Sequence, residues 1–164
     1  MMHRTSVFLF LDKYQDMLTF RPVSSIMTTD LITVGPEDSL LTVKKIFAEH
    51  AFHHLPVVRF RKIVGIISKT DFNRFADGVS HAVEDKLIND SRLERVKAED
   101  IMTKGLGKLD PADRINVALE IFSHNWFHAL PVVENDELLG LVTTQDIIRA
   151  ILEEKPADPT AVYE

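Results

Sequence analysis

No cysteine occurs in the 164 residues. That excludes disulfides, thiolate metal sites and a cysteine nucleophile, and it fits a reducing cytoplasm, where this reading places the protein. Positive charge is also short: 19 Lys and Arg against 25 Asp and Glu leave a formal net charge of −6. The electrostatic footprint of a nucleic-acid or anionic-membrane binder is missing, so neither partner is expected. Long hydrophobic runs are lacking as well. The one candidate, Val7 to Leu11, runs into Asp12 and Lys13 and is too short for a signal peptide or a membrane span. With Tyr14, Met17, Leu18 and Phe20 behind it, residues 1–21 read as an amphipathic N-terminal segment packing on the body or on a partner. A start at Met17 would remove residues 1–16. No phosphate-binding Gly-x-x-x-x-Gly-Lys loop, Gly-x-Ser-x-Gly elbow or Gly-x-Gly-x-x-Gly motif is found, so the chain is not expected to be an enzyme.

What is present is a duplication in a chain 45% apolar, enough for a buried core. An offset of 75 residues aligns Ile26-Met27-Thr28 with Ile101-Met102-Thr103, Leu55-Pro56-Val57-Val58 with Leu130-Pro131-Val132-Val133, Gly65 with Gly140 and Asp71 with Asp146. Across the 46 ungapped pairs from 26/101 to 71/146 there are 16 identities. Chance at ordinary residue frequencies gives about three, so the repeat is real and organises everything else.

Each copy has one grammar. Pro36-Glu37-Asp38 and Pro111-Ala112-Asp113 are turn signals, with Asp38 and Asp113 placed to cap a following helix. Leu40, Val43, Ile46 and Phe47, like Ile115, Ala118, Ile121 and Phe122, repeat at helical spacing. Strands are predicted over Leu55 to Val58 and Ile63 to Ile67, and over Leu130 to Val133 and Leu138 to Val142, joined by hairpin turns at Arg59 to Lys62 and Glu134 to Glu137. A second helix starts near Thr70 and near Gln145. The fold class is thus α/β: two β-α-β-β-α repeats, 22–76 and 97–153, packed sheet to sheet about a pseudo-two-fold axis, with a connector at 77–96 and a tail at 154–164.

These residues resemble a known family, the paired cystathionine β-synthase-type (CBS) domains or Bateman module. The resemblance rests on the two Ile-Met-Thr runs, the two Leu-Pro-Val-Val runs, and Gly65-Ile66-Ile67-Ser68-Lys69-Thr70-Asp71 beside Gly140-Leu141-Val142-Thr143-Thr144-Gln145-Asp146, and it spans about residues 22–152. It implies a regulatory sensor of an adenosine ligand (AMP, ADP, ATP or S-adenosylmethionine) with no required cofactor. It also implies a homodimer and an effector protein that receives the signal. By the resemblance, Asp71 and Asp146 accept from ribose hydroxyls while Ser68 and Thr143 face the phosphate. His53 and His54 in one copy and His128 in the other stand where the family directs basic side chains at phosphate. Imidazoles there make binding pH-dependent. Ile32 lines the adenine slot, and its counterpart is Gly107. The richer cleft is expected to combine Asp146 and Thr143 with Ile32, His53 and His54. The poorer one combines Asp71 and Ser68 with Gly107, His128 and Ala129.

Plainer readings stand beside these. Asp71 and Asp146 suit a helix N-terminus, and Ser68 and Thr143 suit N-caps, without any ligand. His50 with His54, or His124 with His128, has the four-residue spacing of a metal pair. His50 and Asn125 also mark helix ends, and no carboxylate pattern accompanies the histidines, so no metal is expected. Met27 and Met102 read as hinge or core residues, and Trp126 as packing. Leu40, Val43 and Phe47 are candidate apolar surface for dimerisation. The competing function is a ligand-free dimerisation scaffold with vestigial clefts.

Overall fold

The computed structural model describes residues 18–77 and 86–153. In chain order it contains α1 (Leu40–Glu49), β1 (His54–Arg59), β2 (Lys62–Ser68), α2 (Lys69–Asp77), α3 (Lys86–Arg95), α4 (Ala98–Ile101), α5 (Ile115–His124), β3 (Ala129–Glu134), β4 (Glu137–Thr143) and α6 (Thr144–Glu153). Each predicted strand is present and one residue longer at either end. Both second helices begin one residue earlier than predicted.

The strands pair as two antiparallel hairpins. Arg59 faces Lys62 across the two-residue turn Phe60-Arg61, whose φ values are 51° and 66°; Asn135-Asp136 repeats the turn at 50° and 69°. Two positive φ angles make the type I′ turn, whose twist matches that of the strands it joins. The first strand of each repeat is one bridging residue, Val34 beside Val57 and Leu109 beside Val132, both parallel. The ladder stops there for a local reason. The next amide, on Gly35 or Asp110, donates to the turn carboxylate of Asp38 (2.6 Å) or Asp113 (2.8 Å), and the residue after it is a proline with no N–H. This corrects the capping expectation. Asp38 and Asp113 reach three residues back to close a turn, and Ser39 caps α1 by accepting from Thr42 N. Arg114, at the N-cap of α5, makes no side-chain cap.

The packing regroups the repeats into two units. Among the described residues, one holds 18–29, 108–132 and 140–153; the other holds 30–77, 86–107 and the hairpin tip 133–139. Ile26-Met27-Thr28 therefore sits with the second copy's hairpin, where Thr28 and Leu141 exchange backbone hydrogen bonds of 2.9 and 3.0 Å. Ile101-Met102-Thr103 sits with the first copy's hairpin, where Thr103 and Ile66 do the same at 2.9 and 3.1 Å. Each unit has its own core. One is built around Leu40, Val43, Leu55, Val57, Ile67, Phe72, Leu93 and Ala98, the other around Ile115, Ala118, Leu130, Val132, Val142, Ile147, Leu18 and Val23. Position by position these lie 75 residues apart, including Leu18 with Leu93 and Val23 with Ala98. The duplication thus extends upstream of Ile26. The connector supplies α3, whose Leu93 is the counterpart of Leu18.

Two further expectations need correction. Leu40, Val43 and Phe47 are buried within their own unit, with Phe47 packed on Phe52 and Phe72. The exposed apolar residues at helical spacing are Ile148, Ile151 and Leu152 on α6. Trp126 is 98% exposed: it lies one residue past the Asn125 that ends α5, so it leaves the packed face of that helix.

Candidate functional site

Both strand-to-helix junctions are built alike. Thr143 N and Oγ1 donate to Asp146 Oδ2 at 2.8 and 2.6 Å, and Asp146 N donates back to Thr143 Oγ1 at 3.2 Å. Ser68 Oγ donates to Asp71 Oδ2 at 2.6 Å and accepts from Asp71 N at 3.0 Å. These are reciprocal helix caps. Each hydroxyl proton is committed to the aspartate, which leaves lone pairs rather than a donor for an anion. The first helical amides donate to the carbonyls of the loop histidines, Lys69 N to His53 O (2.8 Å) and Thr144 N to His128 O (3.2 Å). So His53 lies beside the Ser68 and Asp71 junction and His128 beside that of Thr143 and Asp146. His54 pairs with Ser68 in the β1–β2 register. Ile32, His53, His54, Ser68, Asp71 and Gly107 fall in one unit; Thr143, Asp146, His128 and Ala129 fall in the other. The other two described histidines, His50 and His124, have local roles. His50 ends α1 and stacks on Phe52 at 5.4 Å, and His124 Nδ1 lies 2.9 Å from Glu120 O.

The two aspartates differ in what surrounds them. The Asp71 side chain is 41% exposed and its Oδ1 lies 3.4 Å from Arg74. That of Asp146 is 9% exposed and has Arg149 Nη1 at 4.0 Å from Oδ1, beyond hydrogen-bond range. Oδ2 is fully used by Thr143, so Oδ1 is a nearly buried carboxylate oxygen with acceptor capacity to spare. Asp146 lines a cleft of about 450 Å³ within the first unit, together with Arg21, Ser25, Met27, Arg149 and Glu153. The partner of Oδ1 is the Arg149 ion pair, too long for a hydrogen bond, so this nearly buried carboxylate oxygen keeps capacity to accept from a hydroxyl donor.

Sequence reasoning found Asp146 and Thr143 and missed Arg21, Ser25 and Arg149. Carrying the repeat three residues past Asp71 and Asp146 reaches Arg74 and Arg149, another identity, so Arg149 was findable. Arg21 was not, because its counterpart is Val96.

The model of the family described as "CBS domain" matches residues 23–78 and 98–153. The chain belongs to the CBS domain family, with two such domains in tandem. Its fold matches that of the CBS domain of a CBS domain-containing membrane protein from Sphaerobacter thermophilus at TM-score 0.72 and 24% identity, over 90% of this chain and 98% of that one. CBSX2, solved in complex with AMP, superposes at TM-score 0.67 with 26% identity, over 80% and 96% of the two chains. An inosine-5'-monophosphate dehydrogenase of Korarchaeum cryptofilum is 36% identical over 124 residues, 75% of this chain and 23% of that enzyme. The chain spans under half the length of such larger curated relatives, so their activities do not come with the likeness. Among the described residues no helix is long and apolar enough to cross a membrane.

Proposed function

We propose that this CBS pair is a non-enzymatic regulatory module that binds an adenosine nucleotide, with Asp146 Oδ1 accepting from the ribose hydroxyls, and reports occupancy to a partner protein. The observation that carries this reading is the nearly buried Asp146, whose Oδ1 accepts no hydrogen bond from Thr143, in the lining of a cleft of about 450 Å³, a volume in the range of small-molecule sites. The AMP complex of CBSX2 supports the ligand class. Ile32, His53, His54, Ser68, Asp71 and His128 are further candidate contacts on the family resemblance. Signalling needs a ligand that binds two states of the module unequally, which shifts their populations. The module acts in the cytoplasm as a homodimer of twice the 18.7 kDa chain, using the exposed Ile148, Ile151 and Leu152 of α6.

Thermal unfolding with AMP, ADP, ATP, S-adenosylmethionine and GMP is the test. An adenosine ligand at about 100 times its Kd adds about 2.7 kcal/mol of stability and raises the midpoint by several degrees. No shift with any adenosine ligand at millimolar concentration overturns the nucleotide reading and leaves the scaffold. Light scattering on Ile151→Lys, expected to be monomeric beside a dimeric wild type, tests the assembly. A monomeric wild type removes the dimer.

A further inference from the structure

Arg21 and Arg149 line the same cleft as Asp146 and have no part in its cap. The backbone of Arg21 is held on both sides: its N–H donates to Leu18 O at 3.1 Å, and its carbonyl accepts from Ile115 N at 2.9 Å. No ion pair engages its guanidinium among the described residues. Arg149 Nη1, at 4.0 Å from Asp146 Oδ1, keeps its donors unspent on that carboxylate. Ser25 cannot supply a donor, because its hydroxyl already donates to Pro22 O at 2.7 Å.

The residues lining the cleft therefore include two arginines and two acids, Asp146 and Glu153. Such a wall is formally neutral. It is poorly suited to a bare anion and well suited to a ligand carrying hydroxyl donors and an anionic group together. The equivalent positions of the other unit lack this character. Val96 stands for Arg21, Asp100 for Ser25, Phe75 for Ala150 and Gly78 for Glu153, so the two carboxylates are kept in number, one of the two arginines is lost, and an aromatic ring packs against the core.

Resting on the nucleotide reading, we propose that Arg21 and Arg149 are the phosphate anchor of the Asp146 cleft, making it selective for the phosphorylated nucleotide over the uncharged nucleoside, and that each chain has one such phosphate-selective site. Guanidinium supplies paired donors in a fixed fork and stays charged across the physiological range, so phosphate recognition here does not depend on imidazole protonation.

Calorimetry of wild type, Arg21→Gln, Arg149→Gln and Arg149→Lys with AMP, adenosine and inorganic phosphate tests this, with unfolding midpoints confirming that the variants fold. Either Gln variant should weaken AMP about tenfold or more while changing adenosine less than about threefold, the usual scale for a charge-assisted contact. Arg149→Lys should recover part of the loss, and inorganic phosphate alone should bind weakly. Equal losses for AMP and adenosine, or no loss for AMP, overturn the anchor while leaving the nucleotide reading intact. Two equivalent AMP sites per chain overturn its restriction to one unit. Wild type that binds neither AMP nor adenosine overturns both readings.

Discussion

Met102 lies across Gly65, so closely that a Cβ on the glycine would stand 2.5 Å from the methionine sulfur; Met27 covers Gly140 in the same way, at 2.9 Å. In each case the methionine belongs to the Ile-Met-Thr run of the opposite copy, and its neighbouring threonine pairs with the residue after the glycine. The glycines make room for an exchanged strand.

The two glycines should not be equally intolerant. A Cβ on Gly140 also meets the Thr28 carbonyl oxygen at 2.8 Å, and that carbonyl is held by Leu141 N. The three atoms nearest a Cβ on Gly65 are Met102 Sδ, Cγ and Cβ; the first two can rotate away, and the Cβ, at 3.0 Å, is the milder contact. Gly140→Ala is therefore expected to cost about 1–3 kcal/mol, at the usual scale of overpacking, and Gly65→Ala about 1 kcal/mol. Thermal unfolding of both variants measures this. A larger loss at Gly65 would show that Met102 cannot yield.

Phe60 sits at φ 51° and is 91% exposed, so it carries the strain of a left-handed backbone with no burial in return. Its counterpart, Asn135, has the side chain that tolerates this region. Phe60→Asn should stabilise the protein by about 1 kcal/mol, and Asn135→Phe should destabilise it by a similar amount. Denaturant midpoints of the two variants moving in the same direction would rule out turn strain as the cause.

The hairpins and helices were legible because alternation, helical spacing and turn residues act over a few positions and occur twice. Asp38 was placed correctly but given the wrong partner: both roles of an aspartate before a helix use the same residue type, and only the backbone decides whether it caps forward or closes a turn backward. The exchange of the Ile-Met-Thr runs was invisible, since self-alignment pairs each run with its copy and says nothing of which hairpin it joins. Arg21 was hidden for the opposite reason. It breaks the repeat, and a search for symmetry passes over the residue that makes one cleft unlike the other.

Lys97 donates a hydrogen bond to Glu37 near the start of α1, beside Arg59. The Lys97 hydrogen bond and charge hold the Glu37 carboxyl below its ordinary pKa, and Glu37 raises that of Lys97. Glu37 thus contributes stability above the ordinary carboxylate range that is lost as pH falls through its depressed value. Lys97 contributes below the ordinary lysine range, and that is lost as pH rises through its raised value. Both groups are exposed, so the effect is small and weakens with salt. Lys97→Met should lower the unfolding midpoint at neutral pH, with the difference from wild type vanishing in strong acid. A difference that persists there would assign it to packing of the lysine stem.

Asp146→Asn separates the ligand role of this side chain from its cap. The amide oxygen still accepts from Thr143 N and Oγ1, while the position of Oδ1 becomes an NH₂ group that cannot accept from a ribose hydroxyl. Nucleotide affinity should fall about tenfold or more, the scale of one lost hydrogen bond to a charged group, with the unfolding midpoint nearly unchanged. Asp71→Asn should have much less effect, because that side chain is 41% exposed and already faces Arg74. Titrations at pH 6 and pH 8 add a second discrimination. Guanidinium charge is constant over this interval, so the affinity for a nucleotide should change only as far as the ligand's own phosphate titrates. Imidazole contacts to the phosphate would instead strengthen binding on acidification, because a protonated ring attracts the anion more than a neutral one. Equal losses from the two aspartate variants would place the ligand elsewhere. A rise in affinity at pH 6 that disappears in a His53→Gln, His54→Gln or His128→Gln variant would return the phosphate to the histidines.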